Sequence, residues 1–364
     1  MFGAADVAGG GVPEAADAAG GVPPAPLPPA FPDAAVPCGG AAVIRVERRK
    51  GDDDGNGRRM VTPPPQAQAR AVLDKAAREN FPVAPRFLPR AWRNDLMAVY
   101  GCVRLLDDIG DGDLAPGGAD AAALGLDPGR AGDRPALLDA FEAELRRAFR
   151  AAEDPGAPAP RHPLLRALVP TVRRHALTPD PFLALVEANR RDQEVRRYGT
   201  WEELLGYCEL SANPVGRLVL AVTGTTTPER VRLSDAVCTA LQITEHLQDV
   251  AEDLALRDRV YLPAEDLDRF RVTEADLAAP SANASVRALI AYEAQRAHAL
   301  LDEGIALVAS VPGVLRLLVA GFVGGGRAAL RAIRSAGHDV LAATPRPGRI
   351  AVLCETAATL GRAR

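Results

Sequence analysis

Two short stretches put acids into helices that otherwise look built for a core. In EHLQDVAED, residues 245–253, Glu245, Gln248, Asp249, Glu252 and Asp253 are acids or their amide. In RLLDDIGD, Asp107 and Asp111 stand four residues apart, with Asp108 between them. Asp249 and Asp253 repeat that spacing. One helical turn separates the members of each pair, so both carboxylates lie on one face. Like charges at this spacing destabilise a helix by a few tenths of a kcal/mol, and two helices sharing the defect invite a shared cation. Mg²⁺ suits such a place, since it takes oxygen ligands, keeps several waters and is commonly shared between carboxylates and phosphates.

Acids on a helix usually form a solvated face. Three features point elsewhere. Each cluster is embedded in an apolar helical pattern, DLMAVYGCVRLL in one case and LSDAVCTALQIT in the other. Each has arginines nearby, Arg104 for the first and Arg257 and Arg259 for the second. Both use the same geometry on separate helices. Facing pairs of this kind form a cage of carboxylates and arginines suited to Mg²⁺ and diphosphate.

The elements that must position these groups are helices. Apolar residues recur at helical spacing over 67–79, 91–111, 135–152, 162–176, 179–194, 201–222, 228–256, 284–309 and 312–336. Breaks rich in Pro and Gly separate them, as in EDPGAPAPRHP. Strand signals are nearly absent, so the expected fold class is all-α, one domain over 67–350. Residues 1–66 are rich in Ala, Gly and Pro and are read as a disordered tail. Residues 351–364 are read as a C-terminal tail.

Composition removes several functions. The net charge of −4 offers no electrostatic case for nucleic acid. The five cysteines are scattered without a CxxC pair, which argues against disulfides or structural zinc and fits a reducing cytoplasm. The first 40 residues lack the basic start and apolar run of a signal peptide. No stretch reaches the ~18–20 apolar residues of a membrane span, and the longest candidate, VLRLLVAGFVGGG, carries Arg316. GGG at 324–326 lacks the strand and the Lys of a nucleotide loop, so close helix packing or a C-terminal break is its default reading. For His246 the default is a packing or surface role. No Ser–His–Asp or Cys–His arrangement is evident.

Over roughly residues 70–350 the chain resembles the squalene/phytoene synthase family of head-to-head prenyl transferases. The motifs that carry the resemblance are VYGCVRLLDDIGD, YCELSANPVGRLVL and LQITEHLQDVAEDLALRDRVYLPAEDL. ENFPVAPRFLP and the closing GGGRAALRAIRSAGHDVLAATPRPGR look like its bacterial hopanoid branch, which converts presqualene diphosphate to hydroxysqualene. The resemblance implies a single isoprenoid-synthase domain with a central apolar tunnel. It implies two or three Mg²⁺ ions held by Asp107, Asp108, Asp111, Glu245, Asp249, Glu252 and Asp253. Asp107, Asp111, Asp249, Asp253 and Tyr207 would carry the chemistry. Phe81, Arg104, Gln242, Gln248, Arg259, Tyr261, Ala212, Val215 and Gly216 would hold the substrate.

The implied enzyme is a carbon–oxygen lyase on a prenyl diphosphate, with water capturing the carbocation and NADPH not expected. The chain would be cytoplasmic or peripheral at the membrane surface, in transient association with other hopanoid-pathway enzymes. Three positions depart from the usual pattern. Glu245 replaces an Asn, Gln248 replaces an Arg as expected of the hopanoid branch, and Gly112 stands where that branch often has an acid. Two alternatives stay open: squalene or phytoene made directly from farnesyl or geranylgeranyl diphosphate, and an inactive helical partner protein.

A chain starting near Gln66 is expected to keep helical circular dichroism and turnover, because residues 1–66 cannot form a core. A rate loss beyond about tenfold, ~1.4 kcal/mol of barrier, gives the tail a part in the site.

Overall fold

The computed structural model describes residues 84–363. The expected helix 67–79, Phe81, Cys38 and the 1–66 segment lie outside the described residues. Among the described residues, fourteen α-helices run in chain order. They are α1 Arg90–Asp111, α2 Ala119–Leu124, α3 Arg134–Glu153, α4 Pro163–His175, α5 Asp180–Glu194, α6 Trp201–Ser211 and α7 Asn213–Val222. There follow α8 Pro228–Glu252, α9 Ala264–Phe270, α10 Glu274–Leu277, α11 Ala284–Glu303, α12 Ile305–Ser310, α13 Gly313–Ser335 and α14 Arg349–Arg362. Among the described residues there is no strand, only a parallel bridge between Arg197 and Val260.

Local signals set the ends of the site helices. Thr227 caps α8 by accepting from the Arg230 amide, with Pro228 at the first position, where its missing N–H costs nothing. Thr200 caps α6 in the same way through Glu203. α1 ends at Gly112, whose φ of 78° belongs to the left-handed region. That explains the glycine beside the first acidic motif. A side chain there would be strained and would run into the Arg134 guanidinium.

Three expected helices are broken. The 201–222 stretch divides at Ala212, ahead of Pro214. The 284–309 stretch divides at Gly304. The 228–256 stretch is α-helix to Glu252 and then widens into one π-helical turn, Asp253–Arg257, ending at Asp258 with φ 53°. The stretch expected as a C-terminal tail is largely α14, which packs along α13. Its two inward residues, Glu355 and Thr359, are polar, so its apolar stripe was too thin to read.

α8 sits centrally, packed by α6, α7, α11, α12 and α13. α1 packs on α3, α4, α5 and α7, so α7 bridges the two acidic helices. Asp95 pins α1 to α4 by accepting from Thr171 Oγ1 at 2.9 Å and from Arg174 at 2.6 Å. α13 is, among the described residues, the one helix long and apolar enough to cross a membrane, a candidate the sequence reading had dismissed on the count of apolar residues. Two-thirds of its apolar window is buried within the fold. Two of its glycines serve packing: Gly324 lies on the α14 backbone, and Gly326 faces Leu241 and Leu301.

A Cβ on Gly324 would stand 2.6 Å from the Thr356 amide nitrogen, which cannot move without α14. Gly324→Val is expected to cost about 1–3 kcal/mol, read from the urea midpoint. An unchanged midpoint contradicts this packing.

Candidate active site

Two cavities lie along α1 and α8, and each helix changes character along its inward stripe. On α1, Leu96, Val99, Tyr100 and Val103 line an apolar cavity of about 300 Å³. The same stripe continues as Arg104, Asp107 and Asp111 into a polar cavity of about 250 Å³. On α8, Ser234, Val237, Cys238 and Leu241 line the apolar cavity, and Gln242, His246 and Asp249 the polar one. Glu245 lines both. Val215 and Gly216 of α7 complete the apolar wall with Val319 and Phe322 of α13. Gly216 lets α7 lie close on α8, because a Cβ would meet Ser234 and Cys238.

The π turn swings two arginines over the acids. Arg257 approaches Asp111 at 3.6 Å and Asp253 at 3.3 Å, and so joins the two motifs. Arg259 approaches Asp111 at 3.4 Å and donates to the Asp192 carbonyl at 2.8 Å. The chain after the turn is held to the end of α5. The Val260 amide donates to the Arg196 carbonyl at 2.9 Å, and the Ala264 amide to the Tyr198 carbonyl at 2.8 Å. This pairing seats Tyr261 against Tyr207 and Tyr198 in a buried aromatic cluster. The Tyr207 and Tyr261 hydroxyls both donate to the Asp192 carboxylate, at 2.9 and 3.1 Å. Burial and Asp192 push the Tyr207 hydroxyl well above its usual range, so it stands as a donor.

Burial also dominates the carboxyls. Asp107 is pushed up to about 7, mainly by burial, with Asp111 and Asp108 adding to it against Arg104 and an Asn189 amide. Asp253 is pushed up to about 7 by burial against the pull of Arg257. Burial also raises Asp249 and Asp192. His246 is buried, stacks on Tyr261 with centroids 3.7 Å apart, and is pushed down to about 3 by burial and then by Arg259. It is therefore neutral at physiological pH, a packed ring that also lines the polar cavity.

The expected site residues divide by place. Asp107, Asp111, Asp249, Asp253, Arg104, Gln242, Arg259, Tyr207 and Tyr261 line the polar cavity with Glu245, and Val215 and Gly216 line the apolar one. Asp108 turns into the core, where Arg104 Nε lies 3.0 Å from it, and Glu252 lies at the outer edge, 3.7 Å from Arg257. Neither of these two, nor Ala212 or Gln248, lines a cavity. Ala212 is buried at the helix break. The Gln248 amide donates to the Pro345 carbonyl, tying the closing loop to α8 and bringing the charge of Arg346 to bear on Asp249.

α5 contributes residues that sequence reasoning missed. Asn189 donates to Asp107 at 3.5 Å, Gln193 donates to the Gly110 carbonyl at 3.0 Å, and Asp192 receives the tyrosines. Gly110 admits Asn189 at close range. The signal was present: the inward stripe Phe182, Leu185, Val186 continues at helical spacing as Asn189, Asp192 and Gln193.

Among the described residues no three metal-capable groups converge to hold an ion unaided. The donor set nevertheless fits a hard divalent cation. Carboxylates of α1 and α8 face one cavity, and the Arg257 guanidinium shows that a positive charge fits between them.

Helices throughout the described residues, two acidic helices facing one another under arginines, and an adjoining apolar cavity define an isoprenoid-synthase architecture. The squalene/phytoene synthase family profile matches residues 74–352, and the chain belongs to that family of enzymes acting on prenyl diphosphates. Hydroxysqualene synthases of Rhodopseudomonas palustris and Zymomonas mobilis are 34% and 31% identical over 233 residues, 64% of this chain and 71% of each relative. A phytoene synthase of Arthrospira platensis is 32% identical over 63% of this chain and 72% of its own length. The crystal structure of squalene synthase HpnC from Alicyclobacillus acidocaldarius has a TM-score of 0.63 at 43% identity, covering 75% of this chain and 95% of that one.

The raised carboxyls set a pH dependence. Between the ordinary value near 4 and the raised value near 7, the folded protein binds protons that the unfolded chain has released. Stability without metal is therefore expected to fall as pH rises through that window. In EDTA, Tm should drop between about pH 4 and about pH 7, and Asp107→Asn should raise Tm at the upper end. A Tm that climbs with pH contradicts this reading.

Proposed function

We propose that this chain converts presqualene diphosphate to hydroxysqualene, with loss of diphosphate and capture of the carbocation by water. The observation that carries the amphiphilic part is the polar cavity that meets an apolar one at Glu245. A diphosphate head suits the first and a prenyl chain the second. The alcohol product rests on the similarity to hydroxysqualene synthases and on Gln248 ahead of Asp249.

Asp107, Asp111, Asp249 and Asp253 would hold Mg²⁺, with diphosphate oxygens and water completing its shell. When bound, the metal neutralises the diphosphate and lowers the barrier to carbon–oxygen cleavage. Arg257 and Arg259 would turn from Asp111 toward diphosphate oxygens, which guanidinium groups bind in pairs. Asn189 and Gln193 hold α5 on the first motif, and Asp192 fixes the two tyrosines over the cavity. The apolar stripes of α1, α7 and α8 shield the cation from stray water. A second reading, squalene made directly from farnesyl diphosphate, is favoured by the 43% identity to a protein named squalene synthase.

Presqualene diphosphate with Mg²⁺ is expected to give hydroxysqualene, carrying label from ¹⁸O water, with or without NADPH. Squalene as the main product with NADPH overturns water capture, and rapid use of farnesyl diphosphate alone favours the second reading. Asp107→Ala and Asp249→Ala should each cut diphosphate release by at least about a hundredfold in folded protein, and EDTA should do the same. Full activity in any of these removes the metal assignment, and no Mg²⁺-dependent diphosphate release at all favours an inactive helical protein.

A further inference from the structure

α14 is an amphipathic helix turned inside out. Its buried residues are Glu355 and Thr359. Its exposed residues Ile350, Leu353, Cys354, Ala357, Ala358 and Gly361 recur at helical spacing and are all apolar. A surface helix normally does the reverse. α13 runs antiparallel beside it: Arg316 donates to the Ala363 carbonyl at 2.8 Å, Gly324 lies on Thr356, and Arg331 pairs with Glu355. α13 exposes Val314 and Leu317. Both stripes are reached by turning the same way from the line of contact, and in an antiparallel pair that sets them on one side of the hairpin. Single exposed apolar side chains are ordinary. Here four of the seven large ones exposed among the described residues share two adjacent helices, with Ile350 78% and Leu353 69% exposed.

The charge around this side is one-signed. Residues 312–363 hold seven arginines against two acids, Asp339 and Glu355, in a chain whose net charge is −4. Both acids are already paired, Asp339 with Arg287 at 2.7 Å and Glu355 with Arg331. Arg334, Arg349 and Arg362 are exposed and form no ion pair among the described residues. Arg334 and Arg349 stand at the end of the hairpin that carries Ile350 and Leu353, and Arg362 at the end that carries Val314 and Leu317.

We infer that this side of the α13–α14 hairpin is a docking surface for an anionic lipid bilayer, with Val314, Leu317, Ile350 and Leu353 among the acyl chains and Arg334, Arg349 and Arg362 at the phosphate headgroups. Apolar side chains rimmed by arginines suit a helix lying in the plane of an anionic interface. α13 does not leave the fold to span the membrane, since two-thirds of its apolar window is buried. A second copy of the chain on this face would set arginines against arginines. The bilayer also fits the cavity behind. Val319 and Phe322, on the other side of α13, line the apolar cavity, so one helix separates that space from the docking face. An enzyme acting on prenyl diphosphates handles chains whose hydrocarbon is at home in a bilayer.

The test mixes the full-length chain, without substrate, with vesicles of phosphatidylcholine alone or of phosphatidylcholine and phosphatidylglycerol, and reads the bound fraction by co-sedimentation. Wild type should bind the anionic vesicles at least about tenfold more than the neutral ones, and high salt should remove most of that gain. The double variants Ile350→Ser, Leu353→Ser and Arg334→Gln, Arg349→Gln should each cut binding at least about tenfold with Tm unchanged. Leu256→Ser, an equally exposed leucine on the π turn, should bind as wild type does. Alkylation of the exposed Cys354, followed by peptide mass spectrometry, should slow when anionic vesicles are present. Wild type that ignores both kinds of vesicle overturns the inference, whether sedimentation velocity then shows the face joining two copies or the face takes an acidic protein. Binding lost in Leu256→Ser and kept in both double variants overturns the choice of face. Should one double variant not fold, the other decides. No turnover enters these measurements, so their failure leaves the proposed reaction untouched, and absence of hydroxysqualene leaves the docking surface standing.

Discussion

Carboxylates from α1, α5 and α8 surround one half-dry cavity, and that crowding governs the rest of the structure. Burial, reinforced by neighbouring carboxylates, lifts Asp107 and Asp253 to about 7, so these groups stay charged only where cations stand among them. The fold supplies two by bending the end of α8. The π turn carries Arg257 between Asp111 and Asp253, and the short pairing of 196–199 with 260–265 fixes Arg259 against Asp192. Without that pairing Tyr261 would have no reason to lie on His246, and Asp192 would lose one of its two tyrosine donors. Electrostatic strain at the site and the unusual end of α8 are thus two sides of one arrangement.

The same helices solve a second problem. An amphiphile needs charge at one end of its site and hydrocarbon at the other. α1 and α8 provide both by changing residue type along a single stripe, without a separate element for each end. On α1 the change comes between Val103 and Arg104, and on α8 between Leu241 and Gln242. Close packing keeps the apolar part continuous, which is why Gly216 lies on α8 beside Ser234 and Cys238.

Much of this was legible in the sequence. Helical periodicity located the long helices within a few residues, because each buries a strong stripe. The acidic pairs were legible because i, i+4 acids inside an apolar helix have few structural explanations. α5 escaped because its polar residues, Asn189, Asp192 and Gln193, are mixed with arginines in ANRRDQE and read as a solvated helix end. The break at Ala212 had a local marker in Pro214 that the long apolar pattern overrode, whereas the π turn depends on tertiary packing, which no local pattern encodes. Asp108 and Glu252 were grouped with their neighbours by proximity in sequence. A step of 100° per residue turns Asp108 into the core toward Arg104, and Glu252 to the rim.

The three departures from the family pattern separate into different physical kinds. Gly112 is a backbone matter, since the left-handed end of α1 excludes a side chain, acidic or not. Gln248 is a tether, whose amide holds the closing loop through Pro345 and lines no cavity. That contact also joins two parts of the sequence that look like the hopanoid branch, the Gln before Asp249 and the TPRPGR end, so they are one structural feature counted twice. Glu245 is of neither kind. It adds a carboxylate where the polar cavity meets the apolar one, a place that helix ends and loop tethers do not require to be charged. Of the three, it is the one departure that changes the charge facing both cavities, so it cannot be explained by backbone geometry or by a tether.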